Sequence, residues 1–339
     1  MTGRQMSAEM AEQPERLRDL IARTDDIAAT VRDIAPKPLR GVTLVARGSS
    51  DHAAVYGRYL LELATGKPIS LAAPSLHTLY GVRGDYDGQL AIAISQSGRT
   101  PEIVTTLRRL CEAGARGLAI TNDARSEIAD AARGVLDLGV GEERAVPATK
   151  TVTAQFAAFA QVALALGEVP FARDELEAVP DWVQQVLDDP QPAEDAAAAL
   201  IDASHLIVVA RGFLYGAALE TALKIKETCS ILTDGYSSAD LRHGPIAAVT
   251  RDFPVIALSA PGPAAGDVLE LVAELRRRGA RPLLIAPDDE ADIRVPRGMP
   301  ETLAPIVAVV RGQQVARALA LALELDPDNP PGLSKVTVT

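Results

Sequence analysis

Apolar residues fall along this chain in two alternating styles. Short, nearly uninterrupted runs, such as residues 42–46, 91–94 and 206–210, alternate with longer stretches whose apolar positions recur every three or four residues, such as 103–113 and 265–278. The first style predicts strands buried on both faces, and the second predicts helices with one buried side. Strands alternating with helices imply parallel βαβ crossovers, so the expected fold is α/β, a parallel sheet covered by helices on both faces. Residues 10–34 read as helix, with Pro14 opening its second part and Leu17, Leu20 and Ile21 on one face. Residues 305–325 read as a strand followed by an Ala/Leu-rich helix that ends at Asp326-Pro327.

The pattern occurs twice. The run Val42-Thr43-Leu44-Val45-Ala46-Arg47-Gly48 returns as Leu206-Ile207-Val208-Val209-Ala210-Arg211-Gly212, with Gly48 and Gly212 164 positions apart. Ala93-Ile94-Ser95 and Ala257-Leu258-Ser259 keep that offset, as do Gly98 and Gly262. Leu118-Ala119-Ile120, followed by Asn122-Asp123, is echoed by Leu284-Ile285-Ala286, followed by Asp288. A spacing held over two strand–loop units and nearly held in a third indicates duplication of one α/β unit.

The densest chemistry lies at residues 91–100, where the apolar run Ala91-Ile92-Ala93-Ile94 breaks into Ser95-Gln96-Ser97-Gly98-Arg99-Thr100 before Pro101-Glu102. Proline suits a first helical turn, where its missing N–H has no partner to lose. The free N–H groups of that helix face the same hydroxyl-rich loop, a site for phosphate or another anion. An ordinary capped strand-to-helix turn accounts for Thr100 and Gly98 but leaves Ser95, Gln96 and Ser97 together unexplained. Ligands of parallel sheets sit outside the carboxyl ends of the strands, where both Gly48 and this loop fall.

Composition narrows the partners. With 47% hydrophobic and 23% charged residues the chain is globular, and a formal charge of −11 without a basic run disfavours nucleic acid. Cys111 and Cys229 have no metal-ligand spacing and fit reduced thiols in a reducing compartment. The first residues lack the apolar core of a signal peptide, and the most apolar helix, 153–166, is too short for a bilayer, so no membrane partner is expected. Together these read as a soluble, cytoplasmic protein. No His pair has ligand spacing and no Gly-x-Gly-x-x-Gly follows a strand, so neither metal nor cofactor is implied.

Five stretches, in order, carry a family resemblance: Arg47-Gly48-Ser49-Ser50-Asp51-His52; Ser95-Gln96-Ser97-Gly98-Arg99-Thr100; Val146-Pro147-Ala148-Thr149-Lys150-Thr151; Ala218-Leu219-Glu220-Thr221-Ala222-Leu223-Lys224-Ile225-Lys226-Glu227; and Leu241-Arg242-His243-Gly244-Pro245. With the closing Leu333-Ser334-Lys335 they make the chain resemble the sugar isomerase (SIS) family, in particular the isomerase half of the glucosamine-6-phosphate synthases and the stand-alone SIS-type glucosamine-6-phosphate deaminases. The resemblance implies two tandem SIS units, each a flavodoxin- or Rossmann-like three-layer sandwich. The prolines Pro170, Pro180, Pro190 and Pro192 among the acidic residues of 168–194 mark the boundary between units, with room for a short helix at 182–187. The chain so divides into a helical segment 1–36, a first unit 37–170, a linker 171–195, a second unit 196–327 and an active-site tail 328–339.

The resemblance also implies roles. Ser50, Ser95, Gln96, Ser97 and Thr100 would hold a sugar phosphate, with Ser49, Val146 and Glu220 beside the sugar. Glu227 would move the proton between C1 and C2, His243 would open the ring from across a subunit interface, and Lys335 could form a Schiff base with the open ketose. Lys224 would supply the positive charge that lowers the Lys335 pKa. The spacing of Glu220, Lys224 and Glu227 (i, i+4, i+7) allows one helical face to present all three, although a solvated charged face has the same spacing. His52, His77 and His205 read as structural. Two departures bear on the reaction. Thr2 stands where the synthases expose a nucleophilic cysteine, which implies no release of ammonia from glutamine by this chain, and Ala148 replaces a serine. The tail is also one residue shorter after Lys335. The expected function is conversion of glucosamine 6-phosphate to fructose 6-phosphate and ammonia by a homodimer with shared sites. A fructosamine-6-phosphate deglycase, which Ala148 keeps open, and a non-catalytic sugar-phosphate sensor are the alternatives.

Overall fold

The computed structural model describes residues 2–289 and 291–335, and within them two compact units. The first unit comprises Glu15–Glu143 and Lys150–Ala172. Its strands are β1 (Gly41–Val45), β2 (Ile69–Leu71), β3 (Gln89–Ser95), β4 (Arg116–Thr121) and β5 (Gly134–Asp137), ordered β2-β1-β3-β4-β5 and all parallel. The apolar runs of β1, β3 and β4 are buried along almost their whole length, as strands covered on both faces must be. Val45, Ala91, Ala93 and Ala119 pack against Ile103, Val104, Leu107 and Leu110 of the Pro101–Glu112 helix. The Ser49–Thr65 helix meets the almost wholly buried Lys150–Leu166 helix, where Tyr56 stacks on Phe156 with ring centroids 5.2 Å apart. A Cβ on Gly57 would lie 2.4 Å from Phe159 Cδ1, so this approach needs a residue without a side chain.

Of the described residues, the second unit comprises 173–289 and 291–335 with 2–14 and 144–149. Its parallel strands are β6 (His205–Ala210), β7 (Leu232–Ser237), β8 (Pro254–Leu258), β9 (Arg281–Ala286) and β10 (Ile293–Arg294), in the order β10-β9-β8-β6-β7. Taken from its other edge this is the order of the first sheet, with β6 to β10 in the places of β1 to β5. The duplication is therefore one of topology as well as of residues. Here too a glycine lets two helices close: a Cβ on Gly312, in the Ala304–Ala322 helix, would lie 2.2 Å from Thr221 Oγ1 of the Tyr215–Cys229 helix.

Three expectations change. Residues 171–195 are no linker: they carry the helix Arg173–Asp188 and the start of Gln191–Leu200. Leu176, Val179, Val183 and Val186 are buried at helical spacing, Pro180 is accommodated inside the first helix, and Pro192 sits in the first turn of the second. The run Ile306-Val307-Ala308-Val309-Val310 is not a strand but part of one helix, Ala304–Ala322, buried nearly all round. The amino-terminal helix is three helices, Arg4–Ala11, Gln13–Ala22 and Thr24–Ile34, and the compact units divide among them rather than after residue 36. No helix among the described residues is long and apolar enough to cross a membrane.

Candidate active site

In the first sheet the winding reverses between β1 and β3, which makes the crevice beyond their carboxyl ends the place for a ligand. Both hydroxyl-bearing loops open there. Gly48, at φ 58° and ψ −134°, turns the chain from β1 into the Ser49–Thr65 helix in a conformation that favours glycine, and a Cβ on it would meet no heavy atom within 4 Å. Ser50 is buried, and its Oγ accepts a hydrogen bond from Gln155 Nε2 at 3.0 Å. After β3, Ser95 Oγ accepts the Gly98 N–H at 3.1 Å and Ser97 Oγ accepts the Arg99 N–H at 3.3 Å. Thr100 opens the Pro101–Glu112 helix without capping it through its side chain. Ser49, Gln96, Ser97 and Thr100 are half-buried, whereas Ser95 is buried and shapes the turn. Arg47 pairs with Glu102 at 2.9 Å and Arg99 with Asp123 at 3.0 Å, so both loop arginines are tied to carboxylates.

The second unit gathers the ionisable groups. On the Tyr215–Cys229 helix Lys224 is wholly buried, and its Nζ lies 3.3 Å from Glu220 Oε1 and 2.5 Å from Glu227 Oε2. Glu220 is fully buried, while the Glu227 side chain is 22% exposed, so this carboxylate alone of the three reaches solvent. Burial pulls the Lys224 pKa down, but the two carboxylates outweigh it and leave it raised. One ammonium between two carboxylates is a group of net negative charge.

In the same unit the Lys335 Nζ donates to the Ala145 carbonyl at 2.7 Å. That places its amine beside Val146, the predicted sugar contact, whose own N–H donates to the Asp328 carbonyl at 3.0 Å. The strip Arg144–Thr149 is held from the other side by the buried carboxylate of Glu9, which accepts the Arg144 and Ala145 N–H groups. The Asp328 carboxylate in turn accepts the Gln5 and Met6 N–H groups, at 3.0 and 2.8 Å, where the Arg4–Ala11 helix begins. Of the predicted tail, Val336-Thr337-Val338-Thr339 lie outside the described residues.

His243 is exposed at the end of the short Ser238–Arg242 helix, and Gly244 follows at φ 146°. Its neighbour Arg242 pairs with Asp267 at 2.8 Å and Glu274 at 3.5 Å, which fixes the turn. No hydrogen bond joins the imidazole to the Glu220–Lys224–Glu227 group among the described residues. Gln155, Glu9 and Asp328 were not foreseen. A glutamine inside the apolar Lys150–Leu166 helix was a legible signal, whereas Glu9 and Asp328 act on backbone far away in sequence and left none. Among the described residues no three His, Cys, Asp or Glu side chains are grouped to hold a metal ion.

The SIS domain profile matches residues 40–165 and 199–294. A glutamine–fructose-6-phosphate aminotransferase (isomerizing) of Methanothermobacter thermautotrophicus is 34% identical over 342 residues, covering 98% of this chain and 57% of that protein. The chain thus spans little more than half the length of such curated relatives. A crystal structure described as a candidate phosphosugar isomerase, from Silicibacter pomeroyi DSS-3, is 30% identical, with a TM-score of 0.87 over 97% of this chain and 100% of that one. A glucosamine-6-phosphate deaminase structure from Thermotoga maritima shares the fold, with a TM-score of 0.80 at 21% identity over 99% of this chain and 100% of that one.

Proposed function

The chain belongs to the SIS domain family, and from that membership we propose that it is a sugar-phosphate enzyme converting glucosamine 6-phosphate and water to fructose 6-phosphate and ammonia. The observation that carries the reading is the state of Glu227. A base for carbon acids must reach its substrate yet keep its orientation, and this carboxylate is partly exposed while gripped by a wholly buried lysine. The hydroxyl loops of the first unit, at its switch point, support recognition of a phosphorylated sugar.

In this scheme His243, supplied by a second copy of the chain, moves the proton that opens the pyranose ring. Glu227 takes the C2 proton of the open-chain amino aldehyde and returns it at C1, while a second proton passes from the C2 amine to the C1 oxygen, leaving a C1 alcohol and a C2 imine. Water adds to that carbon and ammonia departs, which yields the ketose. Lys335 offers an amine that can replace ammonia at C2 through a Schiff base once it has shed its proton. In the opposite direction the same groups would join ammonia to fructose 6-phosphate, the step implied by the name of the aminotransferase relatives.

The test is ammonia and fructose 6-phosphate released from glucosamine 6-phosphate. Glu227→Gln is expected to lower the rate by roughly 10²- to 10⁴-fold. No turnover by the wild type, or an unchanged rate in the variant, rejects the reading. Ala148, half-buried in the strip beside Lys335, is the one observation that favours a bulkier amine. Faster cleavage of a 6-phosphofructosamine than of glucosamine 6-phosphate would make the chain a deglycase instead.

A further inference from the structure

The two repeats share strand order and glycine positions, yet their switch-point crevices are filled differently. The first is open at Gly48, and the side chain that a Cβ on its Gly98 would meet first is the small hydroxyl of Ser126, not a carboxylate. In the second, at the same offset of 164, Gly212, Gly262 and Ala264 stand in the places of Gly48, Gly98 and Thr100. All three meet one side chain. Glu301 Oε1 accepts the Ala264 N–H at 3.3 Å, at the N-cap of the 13-residue Ala265–Arg277 helix. A Cβ on Gly262 would lie 2.2 Å from Glu301 Oε2, and one on Gly212 would lie 4.0 Å from Glu301 Oε1. Glu301 is only 9% exposed. Its partner loop has lost the donors of the first, because Gln96, Ser97 and Thr100 are matched by Ala260, Pro261 and Ala264. Burial raises the Glu301 pKa, and the Ala264 N–H opposes that rise. A helix N-terminus behind a glycine turn is a place suited to an oxyanion, and here a carboxylate of the chain itself already sits in it.

We propose that Glu301 is a resident anion, which occupies the second unit's cradle for a phosphate-class oxyanion and leaves each chain with a single open cradle. The duplication made two such cradles, and Glu301 together with the lost hydroxyls retires one of them. A sugar phosphate then has one berth for its charged end. The inference rests on the repeat geometry and does not require the sugar chemistry assigned above.

The probe is inorganic phosphate, with wild type, Glu301→Ala and Glu301→Gln compared by thermal melting and by calorimetric stoichiometry. Each is measured again with Ser97→Ala and Thr100→Ala added to weaken the first loop. Glu301→Ala is expected to melt lower than wild type, to regain stability with phosphate beyond the wild-type gain, and to take up one more anion per chain in both backgrounds. Glu301→Gln keeps the shape and an accepting oxygen, so its stoichiometry should stay that of wild type. A tungstate-soaked Glu301→Ala crystal should show the anion against Ala264 and Gly212. If Glu301→Ala melts without cooperativity, phosphate-driven recovery of its circular dichroism serves as the readout. No added anion, or no phosphate response beyond that of wild type, overturns the proposal. Failure of the glucosamine assay leaves this outcome untouched.

Discussion

Lys224 couples stability to the proposed chemistry. Lys224→Met removes the ammonium beside fully buried Glu220, and loss of one partner of a buried pair costs about 3–5 kcal/mol. Denaturant midpoints should show that loss near neutral pH, whereas Glu227→Gln, at the partly exposed edge, should shift them far less. The pH dependence has a definite sign. Because the fold raises the Lys224 pKa, its contribution is complete below the ordinary value of 10.5 and is lost as pH climbs through the higher folded value. Wild type should therefore lose more stability than Lys224→Met at pH above about 10.5, and equal losses would contradict the raised pKa. At this scale the spacing i, i+4, i+7 announced that Glu220, Lys224 and Glu227 share a face. Which of them would reach solvent was not legible, because that depends on what packs over the helix.

In each unit a glycine lets two helices approach closely. Gly57→Ala would press on Phe159 and Gly312→Ala on Thr221, and overpacking of this kind costs about 1–3 kcal/mol. Gly266→Ala serves as the contrast: it lies in the Ala265–Arg277 helix with no atom near its Cβ position and should stabilise by about 0.4–1 kcal/mol. Melting curves of the three variants would separate close approach from a general effect of alanine. The strands were legible because runs such as Val255-Ile256-Ala257-Leu258 are covered on both faces. The same property misled at Ile306–Val310, since a helix buried on all sides carries no polar face to reveal its period. Around residues 173–188 the surrounding prolines, Pro170, Pro180, Pro190 and Pro192, are a louder signal than the buried positions Leu176, Val179, Val183 and Val186, so the sequence shows only a short helix at 182–187.

For the whole molecule, the proposed role of exposed His243 requires a second copy of the chain, and mixing tests it. Glu227→Gln chains combined with His243→Ala chains should recover roughly a quarter of the wild-type sites, because half the dimers are hybrids and each hybrid rebuilds one site. Confirmed hybrids without activity would reject the shared site, and His243 would then have to act within its own chain. The duplication was legible from the constant offset of 164, and the shared strand order follows from it. The allocation of segments to units was not, because it is made by single long-range contacts such as those of Glu9 and Asp328.

Those contacts bear on how the gene can be divided. The second unit draws its parts from three separate places: the amino-terminal helix capped by Asp328, the strip Arg144–Thr149 gripped by Glu9, and the long carboxyl-terminal portion. A recombination event between the repeats would hand one descendant a fold missing two of its pieces and the other descendant pieces with nothing to clasp. What arose by copying can no longer be undone by cutting, and the two halves are bound to be inherited together.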